Sequence, residues 1–382
     1  MIPQPGITAL NRRRANGRGD DAFLSRQLIT YLGNKRGLLP QIATAIERVK
    51  RRLARRRLAF LDLFSGSGVV SRLMKAHATL VVANDLEDYA AVMSRCYLAN
   101  RSAVDRRELA AVAQAIDLRA AAADAPRGFI EELYAPRDEA SITPNDRVFY
   151  TRDNARRLDA CRQLIAAQPP ELHDLLLGPL LAAASVHANT AGVFKGFYKD
   201  RATGIGQYGG SHRDALGRIT GPIRLEPPVW SRHDCDSIVL QDDALAAARQ
   251  APPVDVAYLD PPYNQHPYGS NYFMLNLLVR YRRPEAISRV SGIPTDWTRS
   301  AFNVRAAAPA LWRQLIATVD ARFLLVSASN EGFVAPATLR TWLAAAGRVE
   351  EITLSYPAFR GSRSFAARPV RVIEHLFLLE RG

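Results

Sequence analysis

Cysteine is scarce in this chain, which carries only Cys96, Cys161 and Cys235. They lie far apart and form neither a Cys-x-x-Cys pair nor a Cys/His cluster, which argues against a zinc site and against a disulfide framework. Isolated thiols suit a reducing compartment, and the expected location is the cytoplasm. Long apolar runs are missing as well. No window has the length of apolar residues that a membrane span needs, and the first residues are polar and Arg-rich where a secretory signal would be apolar. Acidic residues are the third shortage: 37 Asp and Glu stand against 51 Lys and Arg, giving a formal net charge of +14 and a pI of about 10.1. A basic surface of this size favours a polyanionic partner, nucleic acid being the commonest, although a solvated Arg-rich surface produces the same balance.

What is present is an ordinary globular composition, 48% hydrophobic and 23% charged, in 382 residues, which is enough for a full α/β core and a second, smaller domain. Seven short runs read as strands: Leu58–Phe64, Thr79–Asn84, Ser237–Gln241, Val254–Leu259, Arg322–Ser327, Val349–Tyr356 and Val370–Leu379. The first five are nearly continuous in apolar residues, as parallel strands covered on both faces should be. Helical spacing falls between most of them, near residues 69–77, 88–99, 243–249, 270–281, 308–319 and 336–346. The alternation predicts an α/β fold with a doubly wound, mostly parallel seven-stranded sheet. No helical period separates the last two runs, so the final strand is expected to return antiparallel.

Between residues 101 and 235 the rhythm breaks. Helices are expected near 106–122, 151–167 and 171–187, followed by a Gly/Tyr/Arg/Lys-rich stretch at 189–222. An interval this long is too large for a loop. It reads as an inserted, mainly helical domain at 101–235, set into a main domain made of 26–100 and 236–382, behind a disordered basic arm at 1–25. From Asn189 to Lys199 the insert interleaves aromatics with Lys195, Lys199 and glycines, which suits a surface that positions DNA. An Arg-rich helical insert would also suit a protein partner.

The most informative residues close the fourth run. Asp260-Pro261-Pro262-Tyr263 puts a carboxylate, a turn and an aromatic ring at the carboxyl edge of a buried strand, the edge where open α/β sheets bind ligands. An exocyclic amino nitrogen on a nucleobase is a poor nucleophile because its lone pair is delocalised into the ring. A site localises that pair by accepting both amino hydrogens. Asp260 can accept one and a proline carbonyl the other, since proline keeps its C=O, while Tyr263 offers a face to an extruded base. Taken alone, the four residues also fit a plain Pro-Pro turn.

After the first run stands Asp62-Leu63-Phe64-Ser65-Gly66-Ser67-Gly68, whose glycines let the backbone approach a ligand at a helix N-terminus. It lacks the third glycine of a dinucleotide fingerprint and the Gly-Lys-Ser/Thr of a triphosphate loop. Asp85, closing the second run, stands where a ribose diol would lie, an arrangement that NAD would share. Upstream, Tyr31-Leu32-Gly33-Asn34-Lys35 precedes a helix. Its Tyr and Lys would close over a zwitterionic amino-acid moiety, or simply cap that helix.

In this order the motifs resemble the Dam-like, alpha-group DNA N6-adenine methyltransferases, class I enzymes that use S-adenosylmethionine. The likeness covers most of residues 28–380 outside the insert, including Ser327–Gly332 and Tyr356 with Arg360–Arg363. It implies that Tyr31 and Lys35 contact the methionine end of the cofactor, Asp62 its amino group through the loop of Phe64, Gly66 and Gly68, and Asp85 its ribose hydroxyls. Asp243, or its neighbour Asp242, would hold the cofactor adenine, although the family places this acid before the insert and here it follows. Asp260 would hold the target adenine and lie close to the methionine amino group, with Pro261, Pro262 and Tyr263 completing the target site. Asn189, Lys195, Lys199, Tyr272, Arg360 and Arg363 are the expected DNA contacts. The partners implied are duplex DNA with its adenine flipped out and a cognate restriction endonuclease on a separate chain; a monomer with no metal is expected. An RNA methyltransferase and a non-catalytic DNA-binding module are the alternatives.

Overall fold

The computed structural model describes residues 21–210, 214–357 and 371–382. Seven strands form one sheet: β1 (Leu58–Asp62), β2 (Ala78–Asn84), β3 (Asp236–Leu240), β4 (Val254–Leu259), β5 (Ala321–Ser329), β6 (Gly347–Pro357) and β7 (Arg371–Arg381). Their order is β3-β2-β1-β4-β5-β7-β6. The first five pair in parallel, while β7 lies between β5 and β6 and runs antiparallel to both. The mostly parallel, doubly wound sheet and the antiparallel final strand both follow the sequence pattern.

Alternation along the strands divides the core into two layers, because successive side chains point to opposite faces. On one face Phe60, Val81, Val256, Tyr258, Phe323 and Leu325 pack against the helices Leu39–Leu53 and Val69–Met74. On the other, Leu61, Val82, Ala257, Leu259, Leu324 and Val326 meet the helices Ala244–Gln250, Ala308–Thr318 and Pro336–Ala344. The helix Leu39–Leu53 shows why such segments form: Pro40 opens it, Ile42, Ala45, Ile46 and Val49 make its buried stripe, and Lys50, Arg51 and Arg52 face the negative end of its dipole. β3 departs from the expectation of cover on both faces. It is an edge strand, with Asp236 and Ser237 exposed and Ile238 39% exposed.

The insert contributes the helices Arg106–Ala120, Phe129–Tyr134, Arg152–Ala166, Pro170–His187 and Leu216–Thr220. A single buried cluster joins Leu109, Leu158, Leu180 and Phe194 of this region to Tyr89 and Met93 before it and to Tyr272 and Phe273 after β4. Gly178 permits a close approach: a Cβ there would lie 2.6 Å from Cys96 Sγ on the helix Asp88–Leu98. Order also begins earlier than composition implied. Residues 21–25, expected to belong to a disordered arm, form the helix Asp21–Ser25, because Phe23 is buried and carries the Arg72 guanidinium 4.6 Å from its ring. The rest of that arm, residues 1–20, lies outside the described residues. Among the described residues no helix is long and apolar enough to cross a membrane.

Candidate active site at the carboxyl edge of the sheet

The strand order reverses between β1 and β4, and the crevice at such a switch point is where open α/β sheets hold ligands. Here it is a cleft lined by Tyr31, Phe64, Asp85, Glu87, Asp260 and Tyr268, among others. Asp62, the last residue of β1, is buried at its base. Its Oδ2 accepts from Ser71 Oγ at 2.6 Å. Burial pushes this carboxyl up to about 7; the Ser71 hydrogen bond opposes the shift and the charges of Asp260 and Asp85 add to it.

The glycine turn follows. Gly66 and Gly68 have φ of +52° and +71°, left-handed values that glycine adopts without cost. Gly66 N–H donates to Asp85 Oδ2 at 2.8 Å, and Glu87 N–H donates to Asp85 Oδ1 at 3.0 Å, so Asp85 ties the turn to the end of β2. A Cβ at Gly66 would lie 2.7 Å from Tyr31 Oη and 2.8 Å from its ring, so Tyr31 lies directly over the turn. Tyr31 in turn stacks on Tyr268 and Tyr272, with ring centroids 5.1 and 5.0 Å away.

Asn84 joins three strands through one side chain. Its Nδ2 donates to the carbonyls of Leu63 and Asp242, both at 3.1 Å, and its Oδ1 accepts from Asp242 N–H. Asp242 and Asp243 both line the cleft. Asp243 Oδ1 caps the helix Ala244–Gln250 by accepting from Leu245 and Ala246 N–H, whereas Asp242 accepts from Asp243 N–H with Oδ1 and from Gln250 Nε2 with Oδ2.

Asp260 leaves β4 with Oδ1 3.2 Å from Lys35 Nζ, and the same ammonium stands 2.6 Å from Glu374 Oε1 on β7. Ser327 Oγ on β5 donates to that oxygen at 2.5 Å. Burial lifts Asp260 to about 6, with Lys35 pulling it down and Glu374 pushing it up. Burial alone would lower Lys35, but the two carboxylates outweigh it and hold Lys35 well above its ordinary value. Pro262 lines the cleft, and the Tyr263 carbonyl accepts from Phe333 N–H at 2.9 Å.

Two parts of this wall escaped the sequence reading. Glu87 is 3% exposed, accepts from Asn276 Nδ2 at 2.6 Å, and is pushed up to about 8 by burial. Its only sequence signal is its place two residues after Asp85, where the chain already read as the start of a helix. Arg299–Asn303 closes the far side, with Phe302 edge-on to Phe64 at 5.4 Å and Asn303 Nδ2 donating to the Asn264 carbonyl at 2.7 Å. That segment has neither helical nor strand period.

Two expected DNA contacts prove to be internal. Asn189 is fully buried, donating to the carbonyls of Val148 at 2.7 Å and Gln207 at 2.8 Å and accepting from Gly209 N–H at 3.0 Å. It organises the 189–209 loop, so its polar groups are spent on backbone. Tyr272 is likewise buried in the aromatic stack, its Oη accepting from Leu32 N–H at 2.8 Å. Phe194 also turns inward, while Lys195 is exposed and Lys199 half-buried with Nζ 5.2 Å from the Phe197 ring. Arg360 and Arg363 lie outside the described residues.

This sheet order, with an acid-lined cleft at its switch point, has the class I methyltransferase arrangement. The sequence pattern of the D12 class N6 adenine-specific DNA methyltransferases matches residues 31–207 and 230–290, and the chain belongs to that family. It is thus an enzyme that moves a methyl group from a methyl donor to N6 of adenine in DNA. Type II methyltransferase M.NlaIII of Neisseria lactamica is 26% identical over 364 residues, which cover 92% of this chain and 99% of that protein. Type II methyltransferase M.CviAII of Paramecium bursaria Chlorella virus 1 is 25% identical, over 92% of this chain and 98% of that protein. Type II methyltransferase M.FokI of Planomicrobium okeanokoites is 24% identical, with 92% of this chain matching 52% of that protein.

Proposed function

We propose that this methyltransferase takes its methyl group from S-adenosylmethionine in the switch-point cleft and serves as the modification enzyme of a restriction-modification system. The observation that carries the donor assignment is the charge of the cleft. Among the described residues its lining holds the carboxyl groups Asp85, Asp242, Asp243 and Asp260, with Glu87 pushed by burial toward its neutral form, against one cation, Arg299. In a protein of net charge +14 this local inversion disfavours phosphate-bearing cofactors and suits a cationic nucleoside.

On this reading Tyr31, Lys35 and Asp62 hold the methionine end, with Phe64, Gly66 and Gly68 shaping the turn beside it. Asp85, with Glu87 next to it, meets the ribose hydroxyls. Asp243 meets the adenine amino group, supported by the engagement of both Asp242 oxygens with Asp243 and Gln250. S-adenosylmethionine supplies an electrophilic methyl group on a sulfonium and leaves as a neutral thioether. Asp260 and the Pro261 carbonyl accept the two hydrogens of the target amino group and localise its lone pair, while Tyr263 stacks on the flipped base. Residues 101–235, with Lys195 and Lys199 on the surface, are assigned to target recognition, and 26–100 with 236–382 to catalysis. The names of the relatives, Type II methyltransferases and modification methylases, support the restriction-modification role.

Labelled methyl from S-adenosylmethionine is expected in N6-methyladenine of duplex DNA, and not in RNA or protein offered alongside. Absence of label from duplex DNA would remove the donor assignment. Gly66→Ala tests the turn itself. The left-handed backbone costs a side chain about 1–2 kcal/mol and the new Cβ meets the Tyr31 ring, so donor affinity is expected to fall at least about tenfold by equilibrium dialysis.

A further inference from the structure

Residues 299–305 form a strap along the cleft that is pinned in the middle and charged at both ends. Phe302 and Asn303 are 3% and 2% exposed. Phe302 packs edge-on against Phe64 at 5.4 Å and Trp312 at 6.1 Å, while Asn303 Nδ2 donates at 2.7 Å to the carbonyl of Asn264, one residue beyond Tyr263. Arg299 and Arg305 are instead exposed, and among the described residues no carboxylate stands within salt-bridge distance of either. Arg305 is held by a ring: its guanidinium carbon lies 4.7 Å from the centroid of Phe333. Phe333 N–H donates to the Tyr263 carbonyl at 2.9 Å, and the two residues border one hollow with Pro261, Pro262 and Trp312. The strap thus reaches the 260–264 turn twice, through Asn303 on Asn264 and through Phe333 between Arg305 and Tyr263. Charge decides what the arginines suit. The cleft wall beside them carries Asp85, Asp242, Asp243 and Asp260, which fit a cationic donor that guanidinium groups would repel. An anion outside the cleft suits them instead. DNA presents one on each side of every nucleotide, and guanidinium is the side chain whose donors match a phosphate.

We propose that Arg305, with Arg299 at the other end of the strap, clamps the DNA backbone on the two sides of the adenine that is turned out into the 260–263 turn, each guanidinium taking one phosphate. The inference rests on that turn receiving the target base. Extruding a nucleotide rotates its backbone about the flanking phosphates, so fixing them keeps the base within reach of Asp260. Both arginines are positioning residues and carry no step of the transfer.

The test is binding by fluorescence anisotropy over a series of salt concentrations, with a duplex that the wild-type enzyme methylates. Arg305→Met keeps an apolar stem on the Phe333 ring without the charge, and Arg299→Met removes the charge at the other end. Each is expected to lower the slope of log affinity against log salt by about one, the share of a single phosphate contact. Arg322→Met, which discharges an exposed arginine at the opposite edge of the sheet, should leave the slope unchanged. A second arm replaces one phosphate flanking the target adenine with a neutral methylphosphonate. Wild-type binding should fall about tenfold, the scale of a hydrogen bond to a charged group. At one of the two linkages Arg305→Met should lose no more than about twofold, because the contact is already gone. Unchanged slopes in both arginine variants, or a full loss on top of Arg305→Met at both linkages, would overturn the clamp. Asp260→Asn, assayed for methyl transfer beside them, keeps the two failures apart. If that variant methylates at the wild-type rate, the turn assignment falls whatever the slopes show.

Discussion

Asp260→Asn is expected to lower methyl transfer to duplex DNA by about 10³-fold, the range seen when a positioned acid-base or transition-state hydrogen-bonding group is removed. The substitution keeps the volume of the side chain but replaces an anionic acceptor with a neutral amide. An amide can still offer one oxygen to the target amino group, but without the charge that localises the lone pair as it is used. Folding should survive. Burial raises the Asp260 carboxyl from 3.8 to about 6, so its ionised form is disfavoured in the folded chain, and that cost to stability is present at neutral pH and relieved as pH falls through 6. Asn removes the cost, and Lys35 keeps Glu374 as its partner. Steady-state incorporation of labelled methyl, beside fluorescence anisotropy with duplex DNA, measures the two properties separately. A variant that methylates at the wild-type rate would remove Asp260 from the chemistry; one that loses DNA binding in proportion to activity would make it a structural residue.

Lys35→Met should have the largest effect on stability. Lys35 stands within salt-bridge distance of both Asp260 and Glu374, and Met takes the ammonium away from two buried carboxyl groups at once. Breaking a buried ion pair by removing one partner costs about 3–5 kcal/mol, which urea unfolding at pH 8 would read as a lower midpoint with an unchanged slope. The sign with pH follows from the chemistry. Without Lys35 the buried Asp260 carboxyl loses the charge that pulls it down, so the loss is greatest at high pH and shrinks as pH falls and Asp260 takes up a proton. A midpoint within error of wild type would mean that water reaches the pair and that the site is not buried in solution.

The catalytic half of the fold was readable because it is written in local signals. Each parallel strand is a continuous apolar run closed by an acid or a turn, and period-two burial in Phe60, Leu61, Val256 and Ala257 confirms the reading face by face. The Asp260–Tyr263 turn and the glycine turn carry their chemistry in residue type, and both line or flank the cleft where strand order reverses. The insert was less readable. Its aromatic and lysine alternation looked like a nucleic-acid surface, but Phe194 and Asn189 are spent on packing and backbone. A polar residue with a full set of internal partners looks the same in sequence as one facing DNA.

By itself the sequence determined the strand and helix order, the two turns at the sheet edge and the acids that end the strands, because each depends on residues within a few positions of one another. Only the tertiary structure decided which side chains share a site. Glu374 is 339 residues from Lys35 in the chain, and no periodicity links them. They meet because β7 returns antiparallel beside β5, and burial there removes the water that would screen them. The same holds for Glu87 and for Arg299–Asn303. Their roles come from which wall of the cleft they form, and that is set by packing rather than by any local rule.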